Sequence, residues 1–241
     1  MNELFSTIMS IIRSITGRYR TSGDVTTLES KKILISAIFA EQQGAYLNTL
    51  TMGIGNRMFS LLSDWWGIDE RDEALETFDF LENKVYAYYF PTVCEAWRAD
   101  TDEEREEIIL SAMTTDEDAE KAYEQTNNLL IAIDKMKALK LIESEADVEK
   151  IGVTGWDAGR LAFMARLCFD AGYITEAEAW RYIDAAYKMA HQRFRSWDEF
   201  AKSYVLGRFI WADDESNEFI KQIADDLINK PHSPWKKVPW D

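Results

Sequence analysis

Indole, phenol, guanidinium and carboxylate groups are concentrated between residues 155 and 211 of this chain. Such groups can bind a carboxylate or a phosphate, because arginine donates to oxyanions and aromatic rings stack on guanidinium planes. They can equally form a buried structural network. The candidate residues are Trp156, Asp157, Arg160, Trp180, Trp197, Tyr204, Arg208 and Trp211.

The position of Arg160 relative to its neighbours in the sequence predicts what surrounds its side chain. It lies on one helical stripe with Trp156 and further apolar residues, so its side chain is expected to be partly buried. A buried charge needs a partner, and Asp157, three residues earlier, is placed to supply it. Arg208 lies one turn after Tyr204. These residues leave two interpretations open: a structural Arg–Asp network that ties helices together, or a pocket that binds a carboxylate or phosphate.

Patterns that support catalysis are absent from the sequence. Its two histidines, His191 and His232, have no glutamate or histidine partner at the helical spacing that metal sites use. A Walker-type phosphate loop, a dinucleotide-binding glycine fingerprint and a GxSxG nucleophile elbow are also missing. The sequence therefore predicts no catalytic residue, no metal and no cofactor, and favours a protein that is not an enzyme.

The distribution of charge predicts a basic protein as the partner. The chain has 27 Lys and Arg residues against 43 Asp and Glu residues, a net charge of −16. Such a surface repels nucleic acid and anionic lipid, and it attracts basic proteins. Between residues 100 and 120, Arg105 is the one base among many acids. The candidate partner-binding acids are Asp100, Asp102, Glu103, Glu104, Glu106, Glu107, Asp116, Glu117, Asp118 and Glu120.

Cysteine usage and the N-terminal residues predict a cytoplasmic protein. Cys94 and Cys168 are isolated among apolar neighbours, which is typical of reduced core thiols. Residues 1–20 carry Glu3 and an interrupted apolar stretch, which do not fit a signal peptide. No apolar run is long enough to span a membrane, so no membrane contact is expected.

Apolar residues recur at helical spacing along nearly the whole chain, and clean strand alternation is not found. The first of the four prolines is Pro91, so long stretches contain no such helix breaker. The sequence predicts an all-α, multi-helix globular bundle of about ten helices with no significant sheet. The expected helices are approximately 2–16, 27–51, 56–65, 70–89, 91–98, 102–113, 116–141, 155–171, 176–194, 197–210 and 214–228.

The helical periodicity lapses near residues 144–152. We therefore expect residues 1–241 to form one helical domain with a joint at that point. The joint would separate an N-terminal half, 1–143, from a second half, 153–241, which contains most of the aromatic and arginine candidates.

Hydroxyl side chains followed three residues later by an acid mark several helix starts. The C-terminal tail carries Trp235 and Trp240 between prolines, and these side chains are expected to hold it against the helices. The candidate capping pairs are Thr26–Glu29, Thr101–Glu104, Thr115–Asp118, Thr154–Asp157, Thr175–Glu178 and Ser196–Glu199.

Several glycine, tryptophan and arginine positions resemble a known family in order and spacing. The resemblance covers roughly residues 30–211 and is not seen over residues 95–150, which contain the acidic segment. The motifs are Gly155-Trp156-Asp157-x-Gly159-Arg160, Asp170-Ala171-Gly172-Tyr173-Ile174-Thr175-Glu176, Ala179-Trp180, Ser196-Trp197, Ser203-Tyr204-x-Leu206-Gly207-Arg208 with Trp211, and upstream Trp65-Trp66-Gly67-Ile68 and Glu73-Ala74-Leu75. This set resembles the bacterial family known as domain of unknown function 1266.

The resemblance implies a bacterial, cytoplasmic, helical protein and assigns no catalytic residues. Members of such families are often encoded beside polymorphic toxin genes, an arrangement typical of immunity proteins. With the acidic charge, this favours an immunity protein that neutralises a cognate toxin, of the contact-dependent or secreted effector type, by direct contact through its acidic surface. Two alternatives stay open: a hydrolase-like enzyme that uses Asp157, Arg160, Tyr204 and Arg208 on a small anionic substrate, and a regulatory or scaffolding protein.

Overall fold

Helices make up the regular secondary structure of this computed structural model, which describes residues 19–83, 85–212 and 214–241. No β-strand occurs within those ranges, so the all-α prediction is confirmed. A 3-10 turn, Leu34–Ser36, joins the first two helices. The helices are α1 (Leu28–Ile33), α2 (Ala37–Gln42), α3 (Arg57–Trp66), α4 (Arg71–Asn83), α5 (Tyr86–Trp97), α6 (Asp102–Ala112), α7 (Asp116–Ala138), α8 (Ala146–Ile151), α9 (Thr154–Asp170), α10 (Glu176–Arg193), α11 (Trp197–Trp211), α12 (Ser216–Asn229) and α13 (Pro234–Lys237).

Helix α9 lies at the centre of the fold. Every residue from Gly155 to Cys168 is buried, which is typical of a helix that is enclosed on all sides. Helices α10 and α11 pack along α9, and α2, α3, α4 and α5 contact it as well. Helix α7 packs against both α5 and α11, and α6 lies against α5 and α7 at the edge of the fold. The buried apolar side chains form one cluster that includes residues from both predicted halves of the chain.

Several predicted helix starts are confirmed. The hydroxyls of Thr101, Thr115, Thr175 and Ser196 each accept the backbone N–H three residues later. Only Thr175 completes a reciprocal capping box within the described chain. Local pairs of this kind can be predicted from sequence because both partners lie within one turn.

Two predicted caps are wrong. Helix α1 is capped by Thr27 rather than by Thr26, whose hydroxyl donates to Asp24. Thr154 lies inside α9 and does not cap it. The Asp157 carboxylate does not complete this cap either, because it accepts the backbone N–H groups at the start of α5.

The predicted helix 27–51 is shorter than expected, because the chain leaves helical geometry after Gln42. Arg166 of α9 holds the segment that follows. Its buried guanidinium donates to the hydroxyl of Ser36 (2.8 Å) and to the carbonyl oxygens of Thr49 (3.1 Å) and Tyr46. Burial lowers the pKa of Arg166 to about 9. A charged side chain distant in sequence therefore fixes this loop.

The predicted helices 70–89 and 91–98 meet at a different place. Helix α4 ends at Asn83, and α5 starts at Tyr86 and contains Pro91. The predicted joint near 144–152 contains the short helix α8, which the sequence did not predict. The predicted helix 2–16 lies outside the described residues.

The C-terminal tail packs against the helices, as predicted. Trp235 and Trp240 are both buried. The indole N–H of Trp235 donates to the Leu34 carbonyl, and that of Trp240 donates to the Phe194 carbonyl. Trp197 stacks on Trp235 with ring centroids 4.6 Å apart. Trp197 therefore anchors the tail.

Glu178→Gln is expected to remove an acid-sensitive contribution to stability. Hydrogen bonds from Arg71 and from the Thr175 backbone N–H lower the pKa of Glu178 from an ordinary 4.5 to about 2. Because the folded pKa lies below the unfolded one, this carboxylate stabilises the fold above about pH 4.5, and the contribution is lost as the pH falls towards 2.

Urea unfolding across that pH window measures the effect of Glu178→Gln. The difference in unfolding free energy between wild type and variant should be largest at neutral pH and should shrink as the pH falls. Glu176→Gln, an exposed neighbour in the same turn, is the control. A difference that does not change with pH would contradict the assignment.

Candidate functional site

Asp157 is fully buried, and both of its carboxylate oxygens accept hydrogen bonds. Its carboxylate oxygens accept the backbone N–H groups of Tyr86 (3.2 Å) and Ala87 (2.9 Å), and Nη2 of Arg160 lies 2.8 Å away. Burial raises the pKa of Asp157, and the Arg160 charge opposes that rise. Asp157 therefore caps α5 from a distance, because Val85 at the start of α5 provides no side-chain cap.

Arg160 lies between two aromatic rings. Its Cζ is 4.8 Å from the centroid of the Tyr86 ring and 4.9 Å from that of Trp156. The sequence predicted the ion pair with Asp157 and the Trp156 neighbour. It missed Tyr86, because a contact across more than seventy residues leaves no local pattern.

Helices α9 and α11 approach closely at Trp156. The Trp156 and Tyr204 rings meet edge to face, with centroids 5.1 Å apart. A Cβ on Gly159 would lie 2.5 Å from the Tyr204 ring, and one on Gly207 would lie 2.3 Å from Cβ of Trp156. The absence of a side chain at these two glycines allows the aromatic rings to fill the space between the helices.

Gly207→Ala is expected to lower the free energy of unfolding by about 1 to 3 kcal/mol, because the added methyl overpacks the α9–α11 contact. Alanine in a helix is otherwise favoured over glycine by about 1 kcal/mol, so a net loss would come from the close contact. Urea unfolding measures it, with Lys202→Ala on the exposed side of α11 as control. A variant as stable as wild type would show that the helices can separate freely.

Arg208 does not join the Asp157–Arg160 pair. Its Nη2 contacts Oδ2 of Asp214 (2.7 Å) and the Ser216 hydroxyl (2.6 Å), and its Cζ lies 4.4 Å from the Trp211 ring centroid. Trp211 in turn lies 6.0 Å from Trp156. The sequence did not identify Asp214 as the partner, although it follows Arg208 by only six residues.

The structure brings most of the predicted candidates together. We call Trp156, Asp157, Arg160, Tyr204, Arg208 and Trp211 the arginine–tryptophan cluster. Trp197 packs in the tail contact described above, and Trp180 is half-buried on α10. Neither of them forms a ring contact or a hydrogen bond with the cluster among the described residues.

Three polar atoms of this cluster have no hydrogen-bond partner among the described residues. They are Nε1 of Trp156, Nε of Arg160 and the hydroxyl of Tyr204. Burial raises the pKa of Tyr204, while Arg208 and Arg160 oppose the rise. The phenol is therefore protonated and can donate.

Nine of the ten candidate acids are exposed, at and just before the start of α6 and in the first turns of α7. We call these nine the acidic face: Asp100, Asp102, Glu103, Glu104, Glu106, Glu107, Asp116, Glu117 and Glu120. The prediction for Asp118 needs correction, because its side chain is buried and accepts a hydrogen bond from the Tyr89 hydroxyl (2.8 Å). Asp118 cannot meet a partner in this structure.

Within the acidic face the side chains differ in their contacts. Asp102 pairs with Arg105 and Glu117 pairs with Lys121. Glu104 accepts the Asp100 backbone N–H. The remaining glutamates are exposed and form no ion pair with any basic side chain that the structure describes: Glu103, Glu106, Glu107 and Glu120.

An exposed aromatic residue lies on α5, the helix that packs against both α6 and α7. The Tyr88 side chain is 45% exposed, and its ring meets that of Tyr89 edge to face at 4.9 Å. Tyr89 bonds Asp118 at the start of α7, so Tyr88 lies close to that acidic helix start. Sequence alone could not separate Tyr88 from its buried neighbours on α5.

The described part of the chain offers neither a metal site nor a membrane-spanning helix. No group of three or more His, Cys, Asp or Glu residues is arranged to hold a metal ion there. Cys94 and Cys168 are buried and unbonded to each other. None of the described helices combines the length and apolarity that crossing a bilayer requires.

Comparison with known proteins places the chain in a family. The protein "Uncharacterized protein YbeU" of Escherichia coli (strain K12) is 23% identical over 157 residues, which cover 65% of this chain and 59% of that relative. The chain thus spans less than two thirds of the relative's length. No solved structure matches. Residues 61–240 match the family described as "Protein of unknown function (DUF1266)".

The matched range corrects the predicted one, which ran from about 30 to 211 with a gap over 95–150. It begins later, extends to the tail and includes the acidic face. Since it covers most of the chain, the chain belongs to the DUF1266 family.

Proposed function

We propose that this protein binds a basic protein through the acidic face, and that the partner is a toxin which the complex neutralises. The observation that carries the proposal is the group of exposed glutamates on α6 and α7 that have no basic partner in the described chain. A basic surface docked there would supply the missing counter-charges.

The spacing of these glutamates supports the proposal. Glu103 lies three residues before Glu106 and four before Glu107, so like charges are neighbours on one helix surface. Each such pair destabilises a helix by about 0.2 to 0.5 kcal/mol. Only the acids of the first turn gain from the helix dipole, so Glu106 and Glu107 receive little compensation within α6. A basic partner would relieve the repulsion.

Charge and an aromatic anchor serve different parts of binding. A charged surface steers the encounter and raises the association rate, and this effect falls with salt. Buried aromatic residues at an interface carry much of the affinity. Tyr88, exposed beside the acids, is the candidate anchor on α5. The acidic face therefore sets the association rate with the partner in this proposal, and Tyr88 sets the lifetime of the complex.

The toxin part of the proposal rests on what the family resemblance implies. The matched family and the relative carry no assigned activity. The chain spans 59% of that relative. A role that belongs to the whole of such a longer protein is therefore part of the proposal for this chain. A scaffolding role would use the same face with a partner that is not toxic.

A tagged pull-down from the native host tests the proposal, with three proteins compared at low and high salt. The first is wild type. The acidic-face variant replaces with Lys the four glutamates of that face that form neither an ion pair nor a backbone hydrogen bond within the described residues: Glu103, Glu106, Glu107 and Glu120. The control variant makes the same change in net charge at exposed acids outside α6 and α7: Asp64, Glu76, Glu143 and Glu215.

Wild type and the control variant should retain a stoichiometric basic protein that the acidic-face variant loses, and more salt should weaken the retention. Equal retention by all three proteins would show that the partner binds elsewhere. Recovery of wild type alone from cells that express the neighbouring genes would contradict the proposal.

The hydrolase alternative finds little support in the arginine–tryptophan cluster. Asp157 is fully buried and both of its oxygens already accept hydrogen bonds, so this carboxylate is poorly placed to activate water. The His191 ring stacks on the ring of Tyr187 in α10 and on that of Trp240 in the C-terminal tail. Binding at the cluster, without catalysis, is favoured by the unpartnered donors.

A further inference from the structure

Three polar atoms without partners lie in one small part of the fold. They belong to Trp156, Arg160 and Tyr204, whose side chains are each more than nine-tenths buried. Buried polar groups in native proteins almost always have a partner, since leaving one unsatisfied carries a desolvation penalty. Three such atoms in adjacent residues indicate a missing group.

The chemistry of the three atoms defines what is missing. The indole Nε1 and the guanidinium Nε can only donate a hydrogen bond, and the phenol of Tyr204 can donate one. The absent group is therefore an acceptor. The Tyr204 hydroxyl also lies within the fields of Arg160 and Arg208, and both positive charges favour an acceptor that is an anion.

Local charge limits how negative that anion can be. Arg160 is paired with Asp157 and Arg208 with Asp214, so the cluster is close to neutral before anything binds. One negative charge can be spread over the three donors of Trp156, Arg160 and Tyr204. A second negative charge would have to be buried without a counter-charge, at high cost. This favours a monoanion over a phosphate.

The walls of the cluster favour a ligand with an apolar body. Its rings are those of Trp156, Tyr204, Tyr86 and Trp211, and Trp211 forms the outer side, 41% exposed and stacked over Arg208.

We propose that the arginine–tryptophan cluster binds a small monocarboxylate. Its oxygens accept hydrogen bonds from Nε1 of Trp156, Nε of Arg160 and the hydroxyl of Tyr204. This site is separate from the acidic face, and the proposal does not depend on the proposed toxin partner.

Nuclear magnetic resonance of the tryptophan indole N–H groups tests the proposal on the full-length chain labelled with nitrogen-15. Trp156→Phe identifies the Trp156 signal. Acetate and benzoate are titrated at constant ionic strength, and phosphate is the comparison anion. We expect the Trp156 signal to shift saturably with a carboxylate and more weakly with phosphate.

Matched tyrosine variants show whether the shift reports the cluster. Tyr204→Phe removes one donor and should weaken carboxylate binding about tenfold, the effect of losing one hydrogen bond to a charged group. Tyr123→Phe removes a hydroxyl on α7 and should leave binding unchanged. Both variants keep the ring, so the fold is retained, which the remaining indole signals verify.

Three results would overturn the proposal. One is a Trp156 signal that neither acetate nor benzoate shifts in the folded protein. This result would also be seen if a bound water accepts the Trp156 indole proton. Another is tighter binding of phosphate than of acetate, which would refute the monoanion argument. The third is equal weakening by Tyr204→Phe and Tyr123→Phe.

Discussion

Association with the proposed basic partner is expected to slow by about tenfold to a thousandfold in the acidic-face variant at low ionic strength, because steering by opposite charge contributes that much to association rates. The dissociation rate should change less, since the replaced glutamates are exposed. Stopped-flow mixing with the partner retained in the pull-down measures both rates. The difference between wild type and variant should shrink as salt rises.

The control variant makes this prediction specific. It carries the same net charge as the acidic-face variant, with the changes placed outside α6 and α7. If slow association follows net charge alone, the two variants will behave alike, and α6 and α7 will not be the interface. Tyr88→Ala should instead speed dissociation with little change in association. Unchanged dissociation would remove Tyr88 as the anchor.

Asp157→Ala is expected to lower the free energy of unfolding by about 3 to 5 kcal/mol, as is typical when one partner of a buried ion pair is removed. The variant leaves Arg160 charged and buried, and it leaves the first N–H groups of α5 without a cap. Urea unfolding measures the loss. A loss of less than about 1 kcal/mol would contradict the structural role of Asp157.

A second variant separates the two roles of Asp157. In Asp157→Asn the side-chain oxygen can still accept one backbone N–H from α5, while the charge that pairs with Arg160 is gone. Its free energy of unfolding should lie between those of wild type and Asp157→Ala. Replacing Arg160 by Met in the Asp157→Asn background should recover part of the loss, because no unpaired charge is left. A further loss in the double variant would contradict this division of roles.

Local features of the fold could be predicted from sequence, and contacts between distant segments could not. The caps at Thr101, Thr115, Thr175 and Ser196 were predictable because each joins residues three apart. The loop after α2 was not, because the side chain that holds it, Arg166, lies more than a hundred residues later.

Asp157 shows the same limit within the cluster. Its pairing with Arg160 follows from their spacing on one helix, and the structure confirms it. Its bonds to the start of α5 span about seventy residues, and no local pattern encodes them. The prediction that Asp157 caps a helix was therefore correct, but the helix that it caps is α5 and not its own helix, α9.

Periodicity could have identified Asp118 as different from the other acids. It lies four residues before Ala122, and Ala122, Gln125 and Leu129 are all buried on the same side of α7. A carboxylate on that side of α7 is expected to face the core, and the Tyr89 hydroxyl donates a hydrogen bond to it there. The remaining acids lie on positions that this spacing leaves exposed.

Growth of cells that co-express the captured partner tests the central claim most directly. The partner alone should arrest growth, and wild type and the control variant should restore it. The acidic-face variant, expressed and folded to the same level, should fail to restore growth. Full rescue by the acidic-face variant, or a partner that does not impair growth, would contradict the account of this protein as an immunity protein that acts through its acidic face.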